Sequence, residues 1–176
     1  MSGMNKKVII LDTSILCVWL KVPGMDTIEK GGEEKVTSAD VVRKIAAESD
    51  AGSRIVLPLA SIIETGNHIT QIKGDAYSHI NSFANLIHDS IDGRQPWDIF
   101  RNQSVLFSDE KLKELVDDWK KYGRQRLSIG DTSIKQVAEY YFSQGLDVEI
   151  YTGDSGLKAF EPRREEIKLP RNRGRR

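Results

Sequence analysis

One cysteine among 176 residues, Cys17, has no partner for an intramolecular disulfide and cannot build a Cys-based zinc site. It sits in the apolar run Ile15-Leu16-Cys17-Val18-Trp19-Leu20, where a small core residue is expected. Long hydrophobic runs are missing as well, and none approaches the ~18–20 residues of a membrane span. The basic pair Lys6-Lys7 before Val8–Leu20 imitates a signal peptide. Asp12 interrupts that stretch, however, and no A-x-A-like cleavage site follows, so a cytoplasmic protein is expected. Charge of one sign is not in excess. Lys+Arg and Asp+Glu both number 26, which excludes a chain basic throughout. No Gly-Lys dipeptide is present for a P-loop, and no G-x-G-x-x-G for a dinucleotide. The three histidines, His68, His79 and His88, are scattered, and none is assigned a ligand role.

The residues present alternate between two patterns. Val8–Leu11 and Ile55–Leu57 are short β-branched and aliphatic runs, as in strands buried on both faces of a parallel sheet, and Val148-Glu149-Ile150-Tyr151 is a further strand. Between them lie helical patterns. Asp12-Thr13-Ser14 opens a short helix to about Leu20, and Thr37-Ser38 opens another that carries Val42, Ile45 and Ala46. A third runs from Ser61 to about Lys73. Tyr77, Ile80, Ala84, Ile87 and Ile91 mark the apolar face of a long one, which Gly93 and Pro96 end. Leu112, Leu115, Val116 and Trp119 predict a further helix, and Ile134, Val137, Ala138 and Tyr141 another, starting near Asp131. Lys21–Lys35, with Pro23, Gly24, Gly31 and Gly32, is expected to be a loop, and Ile167–Leu169 an edge strand. Trp19 and Trp119 are expected in the core, whereas Trp97, after Pro96 in a loop, is the one aromatic for which exposure and stacking on a base is an open alternative to burial. The pattern is that of an α/β domain over residues 1–169 with a mainly parallel central sheet, followed by a disordered basic tail over 170–176.

In such a sheet, ligands bind beyond the carboxyl ends of the strands. Asp12 follows the first strand directly. Glu64 lies early in the helix leaving the second, Asp131 opens the helix that leads into the last strand, and Asp154 follows that strand. Four carboxylates from four separated segments are thus expected at one edge. Two carboxylates about 4 Å apart repel by ~4 kcal/mol at an effective dielectric near 20, so such a group must hold protons or cations. Oxygen ligands without His or Cys favour Mg²⁺ or Mn²⁺. Each acid also has a plainer role: Asp12, Asp131 and Asp154 as helix or turn caps, Glu64 as a surface residue. Other Asp-based sites fit less well. A phosphatase of the HAD type needs a second Asp where Ser14 stands, and an integrin-type D-x-S-x-S needs a Ser where Leu16 stands.

The segments Ile9-Ile10-Leu11-Asp12-Thr13-Ser14, Leu59-Ala60-Ser61-Ile62-Ile63-Glu64, Ile129-Gly130-Asp131-Thr132-Ser133-Ile134 and Tyr151-Thr152-Gly153-Asp154 resemble, in order, the acidic motifs of PIN-domain ribonucleases. The resemblance covers about residues 7–169. It implies a three-layer α/β/α fold and a metal-dependent endoribonuclease. In it Asp12, Glu64, Asp131 and Asp154 hold Mg²⁺ or Mn²⁺, while Thr152, with Thr13 or Ser14, orients water or carboxylates. The additional helical segment over Ile91–Ser128 departs from compact members such as the VapC-like toxins, and it bears on partner and dimer mode. The expected partners are RNA, with single-stranded DNA as the related substrate, an antitoxin or other inhibitory protein, and a second copy of the chain. A catalytically inactive RNA-binding or scaffold protein of the same fold is the alternative.

Charge is unevenly spread. From Arg163 to Arg176 seven cations face two anions, a surplus of +5, which leaves −5 on residues 1–162. Arg171, Arg173, Arg175 and Arg176 are therefore candidates for contacts with RNA phosphates, beside the readings of a solvated terminus and of a docking segment for an acidic protein.

Overall fold

A computed structural model describes residues 7–30, 34–98 and 100–164. Three parallel strands form the central sheet in the order β4-β1-β5, with β1 at Lys7–Leu11, β4 at Arg54–Val56 and β5 at Asp147–Tyr151. Ile9 stands opposite Ile55 on one side and Glu149 on the other, and Ile10 opposite Val56 and Ile150. The uninterrupted apolar run of β1 is explained by two cores. Ile9 and Leu11 pack with α1 (Thr13–Trp19), α2 (Ser38–Asp50), α3 (Leu59–Thr70) and α4 (Tyr77–Asp92) on one face. Val8 and Ile10 pack with α6 (Ile129–Ser143) and Leu157 of the short α7 (Ser155–Lys158) on the other. Helices thus cover both faces, and the protein is a mixed α/β fold.

Both outer edges of the small sheet are closed. Beside β4, the Ile55 N–H donates to the Pro96 carbonyl and the Asp98 N–H to the Ile55 carbonyl, each at 2.9 Å. Beside β5, side chains replace a neighbouring strand. The Ile150 N–H donates to Glu161 Oε2 at 2.8 Å, and Lys158 Nζ donates to the Ile150 carbonyl at 2.9 Å. Lys158 and Glu161 also pair with each other.

Three expectations need correction, and the alternative left open at Trp97 is decided. Part of the predicted loop Lys21–Lys35 belongs to an antiparallel hairpin, β2 (Thr27–Lys30) with β3 (Glu34–Thr37). Only Ile28 and Val36 supply its apolar face, so the period-2 signal is minimal. The long helix α4 is present, but it buries Phe83 and Ser90, while Tyr77, Ile80 and Ile91 are exposed. Phe83 packs beside Gly66 of α3, where a Cβ would stand 4.0 Å from its ring. Trp97 is buried and stacks on Trp19 with ring centroids 5.8 Å apart. Trp119 lies on α5 (Asp109–Tyr122), a helix with no buried residue, and is 41% exposed. Between α4 and α5 runs a 3₁₀ segment, Phe100–Phe107. The expected strand Ile167–Leu169 and the tail 170–176 lie outside the described residues. Among the described residues no helix is long and apolar enough to cross a membrane.

Candidate functional site

The carboxyl edge of the sheet is organised around Asp12. As N-cap of α1, its Oδ1 accepts the Thr13 N–H at 2.6 Å, while Oδ2 accepts the Ser14 N–H at 3.4 Å. Two hydroxyls complete the set, Ser14 Oγ and Thr152 Oγ1, each donating to Oδ2 at 2.7 Å. Asp12 is only 5% exposed, and four converging donors satisfy it.

Each of those hydroxyls also accepts a bond from the loop that leaves β5. The Gly153 N–H donates to Ser14 Oγ at 3.0 Å, and the Asp154 N–H to Thr152 Oγ1 at 2.9 Å. Two relays thus fix the backbone carrying Asp154 to the carboxylate of Asp12. Gly153 is required here for a second reason: a side chain at this position would lie 2.7 Å from Ile28 of the hairpin. Asp154 itself caps α7, its Oδ1 accepting the Gly156 N–H at 2.6 Å and the Leu157 N–H at 3.3 Å.

Glu64 joins through Thr13, whose Oγ1 donates to Glu64 Oε2 at 2.9 Å. Its other oxygen presses on the first turn of α6. A Cβ built on Gly130 would stand 2.1 Å from Glu64 Oε1, so glycine lets the carboxylate approach the backbone there. Asp131 is the next residue, but its carboxylate turns back on the helix start. Oδ2 accepts both the N–H (3.1 Å) and the hydroxyl (2.7 Å) of Ser128, and Ser128 Oγ accepts the Asp131 N–H at 2.9 Å, a reciprocal capping box.

The four acids and the three supporting hydroxyls of Thr13, Ser14 and Thr152 therefore occupy one edge of the sheet. Asp12, Glu64 and Asp154 are tied together by short relays, and Asp131 adjoins Glu64 through the Gly130 contact. Asp12, Asp131 and Asp154 all act as caps, as their plainer reading expected. Among the described residues no group of three or more His, Cys, Asp or Glu is arranged to hold a metal ion. The donors nonetheless suit a hard cation in kind, being oxygens alone. Asp131 Oδ1, Asp154 Oδ2 and Glu64 Oε1 accept no bond from the described residues.

Next to Asp154 the hairpin and β5 enclose a cavity of about 320 Å³, bordered by Ile28, Val36, Lys44, Tyr151 and Lys158. Behind it lies an alternating charge network. Lys7 Nζ is 2.5 Å from Glu48 and 2.8 Å from Glu149, and Lys44 Nζ is 2.9 Å from Glu149. Burial works against ionisation of Glu149, but hydrogen bonds from Lys7 and Lys44 outweigh it and hold the carboxyl below its usual range. Cys17 is no nucleophile: burial, with the Asp12 charge, pushes its thiol up to about 11. The seven cations of the C-terminal stretch contribute only Arg163 and Arg164 to the described residues.

The hydroxyls of Thr13, Ser14 and Thr152 were expected to orient carboxylates, whereas Gly130 carried no expected role. The signal for Gly130 is a glycine between a helix cap and an acid, where helix propensity favours any other ordinary residue. The basic turn Lys120–Arg126 just before Ser128 was likewise overlooked, although four cations without an acid are legible in the sequence. No family model, no curated protein and no solved structure matches this chain.

Proposed function

We propose that the protein is a metal-dependent endoribonuclease of the PIN type, with a three-layer α/β/α domain acting in the cytoplasm. The observation that carries this reading is the convergence of Asp12, Glu64, Asp131 and Asp154, from four separated segments, on the carboxyl edge of the parallel sheet, with Asp12 held from both β1 and β5. Such an edge collects ligands in parallel α/β folds. The residues that would hold Mg²⁺ or Mn²⁺ are these four acids. The ion, when bound, supplies neutralisation of the phosphodiester charge and a more acidic water.

The chain's own residues do the positioning. Thr152 and Ser14 prevent rotation of the Asp12 carboxylate by donating to one oxygen while the Thr13 N–H holds the other. Thr13 holds Glu64 toward α6. Ser128 holds Asp131 through Oδ2 alone, which leaves Oδ1 as the oxygen that would face a bound ion. Hydrolysis in this reading cleaves the P–O3′ bond, leaving a 5′-phosphate and a 3′-hydroxyl, with water supplying the added oxygen and proton.

A second reading, an RNA-binding or scaffold protein without turnover, is favoured by the caps that engage three of the four acids. Incubation with a mixed RNA pool separates the two. The nuclease reading expects cleavage with Mg²⁺ or Mn²⁺ that EDTA abolishes. Cleavage undiminished in EDTA, or none with either metal, refutes it.

A further inference from the structure

The turn between α5 and α6 has properties that its role as a connector does not require. Lys120, Lys121, Arg124 and Arg126 follow one another within seven residues, and no acid occurs from Trp119 to Gly130. Their neutralisation is slight. Lys120 reaches Asp117 only at 4.0 Å, Lys121 lies over the Tyr122 ring, and Arg124 and Arg126 are exposed with no ion pair among the described residues. Arg126 also adopts a left-handed backbone, φ 65°, which costs a non-glycine residue energy and keeps company with functional segments. Beside these cations Trp119 is 41% exposed, with its indole edge over Gly123, where a Cβ would stand 3.4 Å from Nε1. Trp119, Lys120, Gly123, Arg124, Arg126 and Leu127 border one shallow groove.

The turn is anchored next to the acidic edge. Buried Leu127 leads directly into the Ser128–Asp131 capping box, and Tyr122 packs edge-on against Phe160, six residues beyond Asp154, with centroids 4.9 Å apart. An exposed indole among exposed cations is the combination that binds single-stranded nucleic acid, the cations tracking phosphates and the ring stacking on a base. The acidic edge cannot attract phosphates by itself, and a positive surface beside it answers that need.

We propose that Trp119 with Lys120, Lys121, Arg124 and Arg126 is a docking platform for single-stranded RNA, delivering the strand to the acidic edge. That the strand is a substrate rests on the nuclease reading; the platform itself does not. The test is binding of a labelled oligouridylate to the full chain in EDTA, over a range of salt, by fluorescence anisotropy and tryptophan quenching. Each phosphate contact contributes ~0.7 to the slope of log K against log salt, so Arg124→Gln with Arg126→Gln should flatten it by about 1.4. Trp119→Ala should weaken Kd about tenfold at unchanged slope and abolish the quenching, since base stacking on a ring is insensitive to salt. Both changes lie on exposed positions, and circular dichroism checks the fold. If these effects appear but no metal supports cleavage, the platform stands and the nuclease reading falls. If the chain cleaves RNA while slope, Kd and quenching match the parent, the platform is refuted. It is refuted equally if Trp119→Ala leaves RNA affinity intact but converts a dimer to a monomer in sedimentation, since the exposed Leu112, Val116 and Trp119 would then be a protein contact.

Discussion

Replacing Gly130 with alanine separates a cap from a functional contact, because ordinary helix energetics and the site geometry predict different results. Alanine is favoured over glycine by up to ~1 kcal/mol within a helix, and somewhat less in the first turn. The new Cβ would, however, stand 2.1 Å from Glu64 Oε1 and 3.1 Å from its Cδ. The carboxylate is the far end of a flexible side chain, so it moves rather than the backbone. Moving it breaks the 2.9 Å bond from Thr13 Oγ1. A hydrogen bond to a charged group is worth ~1.5–3 kcal/mol, and because Glu64 is half-buried, water replaces part of this, leaving a loss of ~1 kcal/mol. Gain and loss nearly cancel. The melting temperature should stay within about 4 °C of the parent, as 1 kcal/mol shifts a chain of this size by ~2–4 °C. Turnover of RNA should fall about 10- to 100-fold, because a displacement near 1 Å at a reacting centre costs roughly that much. Gly66→Ala is the control: its Cβ would meet only Phe83, at 4.0 Å, so it should stabilise without touching turnover. Glu64→Ala combined with Gly130→Ala removes the collision, and the cycle should show a coupling of ~1 kcal/mol, well above the ~0.3–0.5 expected of independent sites. Additive stabilities together with parental turnover would refute the contact.

Thr152→Val keeps the side-chain shape but deletes the hydroxyl between the Asp154 N–H and Asp12. It should cost ~1–2 kcal/mol in urea unfolding and lower kcat more than KM; a pure KM effect would contradict a positioning role. Glu149→Gln breaks the pairs with Lys7 and Lys44 and should destabilise by ~1–3 kcal/mol. Because the folded Glu149 carboxyl is lowered from 4.5, its contribution is complete above that pH and disappears as pH falls through the lower folded value. The parent and Glu149→Gln should therefore converge in stability on acidification, and a constant gap down to pH about 2 would contradict the linkage. Trp97→Ala should cost ~3–5 kcal/mol by chemical denaturation, whereas a surface tryptophan would cost under ~1.

Two strands of the sheet were legible because Val8–Leu11 and Ile55–Leu57 are apolar on consecutive positions, the pattern of double-sided burial, and the third because Val148, Ile150 and Tyr151 surround the single acid Glu149 in a short β-branched and aromatic run. The order of the acids along the chain, combined with strand direction, was enough to bring them to one edge. Their orientation was not legible, since it depends on hydroxyls far apart in sequence and on whether Ser128 or a neighbour takes the carboxylate of Asp131. The hairpin was missed because Gly31-Gly32 and alternating Lys and Glu resemble a loop when each strand shows one apolar residue. On α4 two apolar stripes compete, and which one is buried depends on the core that α1, α2 and α3 present to Phe83, a property of other elements of the chain. Trp97 follows a proline in an irregular segment, where periodicity says nothing about depth.

The hydroxyl of Thr152 meets Asp12 across a sequence separation of 140 residues. During synthesis the first strand, its aspartate and the Thr13 and Ser14 donors are made early, yet the hydroxyl that ties that aspartate to the end of β5 emerges 140 residues later. Closing so long a loop is slow, and its entropy is recovered only once β5 docks on β1. Completion of the sheet and closure of this tie are therefore one event, and a chain truncated before β5 should leave Asp12 held by the Thr13 and Ser14 donors alone, without its link to the loop that carries Asp154.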